Sequence, residues 1–507
     1  MKSPITASLG QADAGAPARL MPPANAVVLP EEVPVLKALV AALAKLRPND
    51  AAAQLAQFDK ALAALPGPTP LRGRVQVSRA PLLQQLRGDS EAVQAAESGV
   101  ELLPGYSGPL LVAAHIYLYA NRPQQAADAI LRASAIDPAS IRLLDDYEIN
   151  GVLRRLEAIN DRRTARLFSE RLLTIGWVGK GVQSRSALAK VAIGQSAQDG
   201  DLAHARGYVP YLTVPKDAYE LLTMADYQPI WADIEASAGL RLERQWPAYL
   251  NEARARWEAG HDLERAVDYA TALREAGDYQ RLIDTFLPLL MGTPDRERDW
   301  PLVFLVAPVT NALLVQGRID QAIGVFDHAA RTWPIGSSAN ALNISLNRGN
   351  ALLSADRPAE ALAQFDVAIA DSRKWGAEVN SDARAQMHLL RACALHALQR
   401  DGDAAISAAI AAGAGHARSQ ARVRLCMDDL PGARAALIAA LSRPDERDAV
   451  LALMQPDRTP TIPTDYGRRE RSRGDALRSD PQLRAAIAAY GRILPFAVND
   501  AAPGQAP

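Results

Sequence analysis

The chain has 507 residues, and 56 Lys and Arg stand against 57 Asp and Glu for a formal charge of −1. No global basic field exists to draw nucleic acid or an acidic lipid surface. Apolar residues make up 49%, much of it Ala, while aromatics reach only 5%; Ala is the strongest helix former, and strand-like runs of Val, Ile and Thr are nearly absent, so the class reads as all-α.

In chain order, residues 1–30 are rich in Ala, Pro and Gly without periodicity and read as a disordered segment. A helical array is expected over 31–206. Residues 207–262 differ in texture, an irregular helical stretch crowded with aromatics, among them Tyr227, Trp231, Trp246 and Tyr249. A second helical array is expected over 263–455, then a Pro- and Arg-rich linker over 456–480, then a short helix and disordered tail over 481–507. No apolar run at the start suits a signal peptide, and no window approaches the roughly 20 apolar residues of a membrane span. The expected location is cytoplasmic, or periplasmic if a signal peptide was removed. With only Cys393 and Cys426 there is no disulfide framework, which fits a reducing compartment.

One phrase recurs. RPQQAADAILRASAIDP, GRIDQAIGVFDHAARTWP and RPAEALAQFDVAIA each place a small residue, an apolar one four later and Ala three after that. The sets are Ala126, Ile130, Ala133; Ala322, Phe326, Ala329; and Ala361, Phe365, Ala368, with Pro138 and Pro334 closing the first two. Ala92 lies 34 residues before Ala126 and has Pro104 at the matching offset. Twelve positions before the small residue stands another, with a bulky one three later: Ala114 and Tyr117, Gly349 and Leu352. Thr310 and Leu313 are the departing copy, and Ala405 with Cys393 and His396 would be the next. Turn signals between the helices read Gly88-Asp89, Asp199-Gly200-Asp201, Gly277-Asp278, Gly317-Arg318, Asp401-Gly402-Asp403 and Pro431-Gly432, with Gly supplying positive φ and Asp capping the next helix.

The pattern resembles the tetratricopeptide repeat (TPR), whose unit is a pair of antiparallel helices of about 34 residues. The resemblance implies an all-α, TPR-like alpha-alpha superhelix (solenoid) of stacked antiparallel helix pairs, with some units irregular. It also implies a protein or peptide partner lying along a groove built by the first helix of each pair. On that face the resemblance puts Asn311, Asn347, Asn350 and Arg391. Asn amides donate and accept, which suits an extended peptide backbone, and Arg391 suits a carboxylate. The bias toward Ala, Arg and Pro suggests a bacterial, GC-rich source.

No GxxxxGK[ST], GxSxG or HExxH motif is present, and the glycines of GWVGKGVQSR lack phosphate-loop spacing. No catalytic residue, cofactor or metal is therefore expected. Cys393 and His396 are assigned packing roles by the repeat register. Arg468, Arg469, Arg471 and Arg473 read as a solvated linker. The reading is a non-catalytic interaction scaffold or adaptor; the alternative is a sensor solenoid binding a small molecule or glycan at Tyr227, Trp231, Trp246 and Tyr249.

Overall fold

A computed structural model describes residues 28–47, 50–65, 67–261, 263–292, 302–333, 341–376, 379, 381–413 and 417–503. The expected Pro334 and most of the 1–30 segment lie outside them. Among the described residues the regular structure is helical, apart from one isolated bridge between Met224 and Gly491. Each of the two units, residues 1–208 and 209–507, is built of stacked antiparallel helix pairs, the TPR-like solenoid arrangement.

The first unit holds α1 (Val33–Leu43), α2 (Ala51–Ala64), α3 (Pro70–Leu86), α4 (Asp89–Leu102), α5 (Ser107–Tyr119), α6 (Pro123–Ile136), α7 (Asp146–Ala158), α8 (Arg162–Thr174), α9 (Ser184–Gln198) and α10 (Leu202–Tyr208). The second holds α11 (Pro215–Thr223), α12 (Trp231–Ala238), α13 (Gln245–Gly260), α14 (Leu263–Ala276), α15 (Tyr279–Met291), α16 (Val303–Val315), α17 (Ile319–Thr332), α18 (Leu342–Ser354), α19 (Pro358–Ser372), α20 (Ser381–Ala397), α21 (Asp401–Gly413), α22 (Ala417–Cys426), α23 (Leu430–Leu441), α24 (Pro444–Leu453), α25 (Asp465–Ser479) and α26 (Pro481–Ile487).

Small residues let paired helices touch. A Cβ on Gly349 of α18 would lie 2.5 Å from Cε1 of Phe365 on α19, so the ring sits directly against the backbone. Phe365, Ala361 and Leu352 are fully buried, as are Ala322 and Leu313 in the preceding pair. Leu282 and Phe286 of α15, also fully buried, stand at the offsets of Ala361 and Phe365, so this pair repeats the pattern with Leu in place of Ala.

The turns behave as their residues dictate. Gly277 and Gly317 take φ of 77° and 75°. Asp278 accepts the Arg281 N–H at 3.3 Å, capping α15. Where Gly is missing, Asn121, Asn160, Asp356, Gln399 and Asp428 hold the left-handed position. The signals Asp401-Gly402-Asp403 and Pro431-Gly432 fall in the first turns of α21 and α23, two to four residues after the left-handed Gln399 and Asp428.

Three expectations are corrected. Ala404, not Ala405, opens the second helix of its pair, since Ala404 is buried and Ala405 exposed. The small and bulky positions of α20 are therefore Ala392 and Leu395, both buried, rather than Cys393 and His396. The expected linker contains the helix α25, started by Thr464, whose hydroxyl accepts the Gly467 N–H at 3.0 Å. The expected disordered tail packs closely through Ala502, with Leu494, Phe496 and Ala497 buried.

The second unit closes on itself. Its last residues return to its first helices: the Arg492 N–H donates to Thr223 O at 2.8 Å and the Ala225 N–H to Tyr490 O at 2.9 Å. Gln455 ties the segment to α24 by donating to Arg492 O at 3.1 Å and accepting from Leu494 N at 3.0 Å.

Phe365→Ala should cost about 3 to 5 kcal/mol, because a well-packed ring leaves a cavity. Gly349→Ala should cost about 1 to 3 kcal/mol by overpacking. Ala359→Leu, at an exposed site in the first turn of α19, should change stability by less than about 0.5 kcal/mol. Denaturant melts of the three variants check the order.

Candidate partner groove

Asn311 on α16 and Asn350 on α18 are exposed, and Asn347 is half-buried on α18. None of the three amides has a hydrogen-bond partner among the described residues. Arg391 is different. Its Nε donates to Asp366 Oδ1 at 2.6 Å and its Nη1 to Ser407 Oγ at 2.6 Å. The preceding pair has the same brace, Arg348 Nε to Asp327 Oδ1 at 2.8 Å. Each Arg thus fastens a first helix to the second helix before it. The carboxylate opposite Arg391 is thus an internal one, Asp366.

A first-helix face of the second unit carries an occupant that the sequence did not announce. Helix α25 packs on α18 and α22, the first helices of two pairs. Thr464 Oγ1 donates to Ser354 O at the end of α18 at 2.5 Å. The Asp356 carboxylate, in the next turn, accepts the N–H groups of Asp465 at 2.7 Å and Tyr466 at 2.8 Å. Two free N–H groups at a helix start make such a carboxylate favourable. Tyr466 is buried in one cluster with Leu352, Leu353, Cys393 and Cys426, and burial raises its phenol pKa. Further along, Arg473 Nε donates to Asp428 Oδ1 at 2.7 Å, and His396 Nε2 lies 3.5 Å from the other Asp428 oxygen. Upstream, Pro463 sits over the Gly317 turn, where a Cβ would be 3.1 Å from the ring. The available sequence signal was Thr464-Asp465 ahead of a charged run, an N-cap with an acid in the first turn.

Burial works against charge on Asp428, but the Arg473 hydrogen bond and charge, helped by His396, outweigh it and hold the carboxyl below the ordinary carboxylate range.

The aromatic segment is built into the fold. Trp246 and Tyr249 are fully buried and Tyr227 is buried; Trp231 is half-buried. Their polar tips are used: Trp246 Nε1 donates to Val498 O at 2.7 Å, Trp231 Nε1 to Leu221 O at 3.0 Å and Tyr249 OH to Glu275 Oε2 at 3.3 Å. The Arg492 guanidinium covers the Trp231 ring at 3.7 Å from its centroid. Burial raises the Glu275 carboxyl pKa.

Cys393 and Cys426 form a disulfide between α20 and α22. This overturns the reading of Cys393 as a free packing thiol and removes the argument for a reducing compartment. His396 is half-buried and hydrogen-bonds Asp401 Oδ1 at 2.7 Å through Nδ1, so it is not a core residue. Among the described residues no group of three His, Cys, Asp or Glu is placed to hold a metal, and no helix is long and apolar enough to cross a membrane. The glycine loop after α8 does cradle an anion, but an internal one: the N–H groups of Lys180 and Gly181 donate to Asp146 Oδ2 at 2.7 and 2.9 Å.

The sequence matches no protein-family model and no curated protein. Solved structures similar to the chain include the crystal structure of yeast Tom70, at 14% identity over 90% of this chain and 99% of that one, with a TM-score of 0.32. Another is the crystal structure of the P58(IPK) TPR domain, at 14% identity over 81% of this chain and 99% of that one, with a TM-score of 0.21. At these scores the fold assignment stands on the helix pairing itself.

Two outcomes are expected. Thiol titration of unreduced, unfolded protein should find no free thiol. Reduction should lower stability by about 3 to 4 kcal/mol, the chain-entropy value for a sequence separation of 33. Asp428 has a depressed folded-state pKa, so its hold on α25 is present at neutral pH and is lost as pH falls through that lowered pKa in the acid range. A dye on Ser472→Cys should gain mobility, read as anisotropy, in that window, and Asp428→Asn should remove the transition.

Proposed function

We propose that the chain is a non-catalytic interaction scaffold or adaptor, of bacterial type, which binds a protein or peptide along the first helices of its pairs. The observation that carries this reading is the set of amides at Asn311, Asn347 and Asn350 on successive first helices, which lack hydrogen-bond partners among the described residues. An amide can bond both the N–H and the C=O of an extended chain, so a row of them suits peptide recognition. The reading assigns no cofactor and no reaction. The balanced charge of −1 supports protein over nucleic acid as partner. The disulfide favours an oxidising compartment such as the periplasm over the cytoplasm.

A small-molecule or glycan site at Tyr227, Trp231, Trp246 and Tyr249 has less support. Three of the rings are buried, and the fourth is covered by Arg492.

Affinity capture with the full chain, followed by the Asn347→Ala/Asn350→Ala variant, tests the proposal. Capture should weaken at least tenfold while the thermal melt stays within a degree or two of wild type, since surface changes cost less than about 0.5 kcal/mol. Unchanged capture would reject this face and move the search to the first unit, where Tyr119 and Tyr147 are 47% and 60% exposed.

A further inference from the structure

Helix α25 is an unusual component for a packed array. Of the residues in Asp465–Ser479, only Tyr466, Gly467 and Leu477 are buried. The helix carries Arg468, Arg469, Arg471, Arg473 and Arg478 against Asp465, Glu470 and Asp475, a net cationic balance. Its hold on the array is the Tyr466 anchor, Leu477 buried beside Leu437 and Leu451, the hydrogen bonds of its first residues to Ser354 and Asp356, and a few ion pairs at solvent. The Asp428 side chain is 63% exposed in its pair with Arg473, and Arg469 is 54% exposed 3.7 Å from Asp356. Such contacts are weak singly and screened by salt. The flanks are held separately, by Gln455 on one side and α26 on the other. A helix of this kind can lift while its ends stay in place.

The array side is shaped to match. The left-handed turn residue is Asn121, Asn160, Gly200 or Gly277 in four other pairs, and it is Asp at the two turns that bond α25, Asp356 at φ 58° and Asp428 at φ 62°. Gly takes this conformation at least cost. Asp at these two turns adds a carboxylate aimed at the helix start in one case and at Arg473 in the other.

The geometry points to α25 as an internal ligand, and to a partner of the same make: a cationic helix headed by an Asp-Tyr step, with Arg seven residues after the Tyr, that displaces the chain's own copy from α18 and α22. This rests on the proposed scaffold reading and adds a second seat to it beside the Asn-lined face: the α18–α22 face under α25 is gated, and its preferred occupant is a basic helix. Tyr466 supplies the buried anchor, Asp356 the cap for the helix start and Asp428 the distal ion pair.

The experiment uses the full chain and a fluorescent peptide of residues 462–480 as probe. Wild type should bind it weakly, since its own copy occupies the face. Tyr466→Ala/Arg473→Ala should release that copy and bind the peptide at least tenfold tighter. Adding Asp356→Asn and Asp428→Asn to the released variant should abolish the gain. Amide exchange in wild type should be faster across 465–479 than across α18 and α20. A released variant that keeps its helicity and cooperative melt but binds no tighter overturns the proposal. Loss of the array's melt on release, or equal exchange protection of α25 and α18, also overturns it, because α25 would then be part of the core. The probe needs no external partner, so failure here leaves capture by the Asn-lined face to be judged by its own test.

Discussion

Everything in this chain depends on how closely two helices can approach within a pair. At the α18–α19 contact the limit is set by one missing methyl group, since the Phe365 ring occupies the space where a Gly349 side chain would begin. Close approach brings the next ring or methyl into reach, and burial follows pair by pair. With aromatics at only 5%, the chain has few large groups to spend. Phe286, Phe326 and Phe365 sit at the same place in three successive pairs, all buried. Ala does the rest by removing bulk.

That constraint is local, which explains why it is legible. The small, apolar, Ala offsets and the Gly-Asp turns lie within a few residues of one another and depend on no distant contact. The Ala404 and Ala405 slip shows the limit of such reading. Two adjacent Ala residues fit the same helix, and only burial on the neighbouring helix separates them. The slip propagates twelve residues back and misassigns Cys393 and His396.

The candidate groove was legible only in part. Asn311, Asn347 and Asn350 lie on first helices as the repeat pattern implies, but Arg391 faces Asp366, a residue on the adjoining second helix. Helix α25 was hidden for a different reason. Its anchors at Ser354 and Asp356 lie 110 residues earlier, and its own sequence is polar on almost every face. Periodicity reports burial, and a helix that buries little leaves no period to read. The disulfide was equally silent, since two Cys residues in a chain of this length do not announce a pair.

The aromatic segment depends on contacts of long range. Tyr219 donates to Phe496 O and Trp246 to Val498 O across sequence separations of 277 and 252. Contacts of that range form last. As the chain leaves the ribosome, the apolar surface around Tyr219, Trp231 and Trp246 has no cover until residues 490–502 have also emerged. A chain cut short before that point would present a sticky aromatic seam, the kind of surface that chaperones and proteases act on. Cover for these aromatics within the second unit therefore comes from residues more than 250 positions further along the chain.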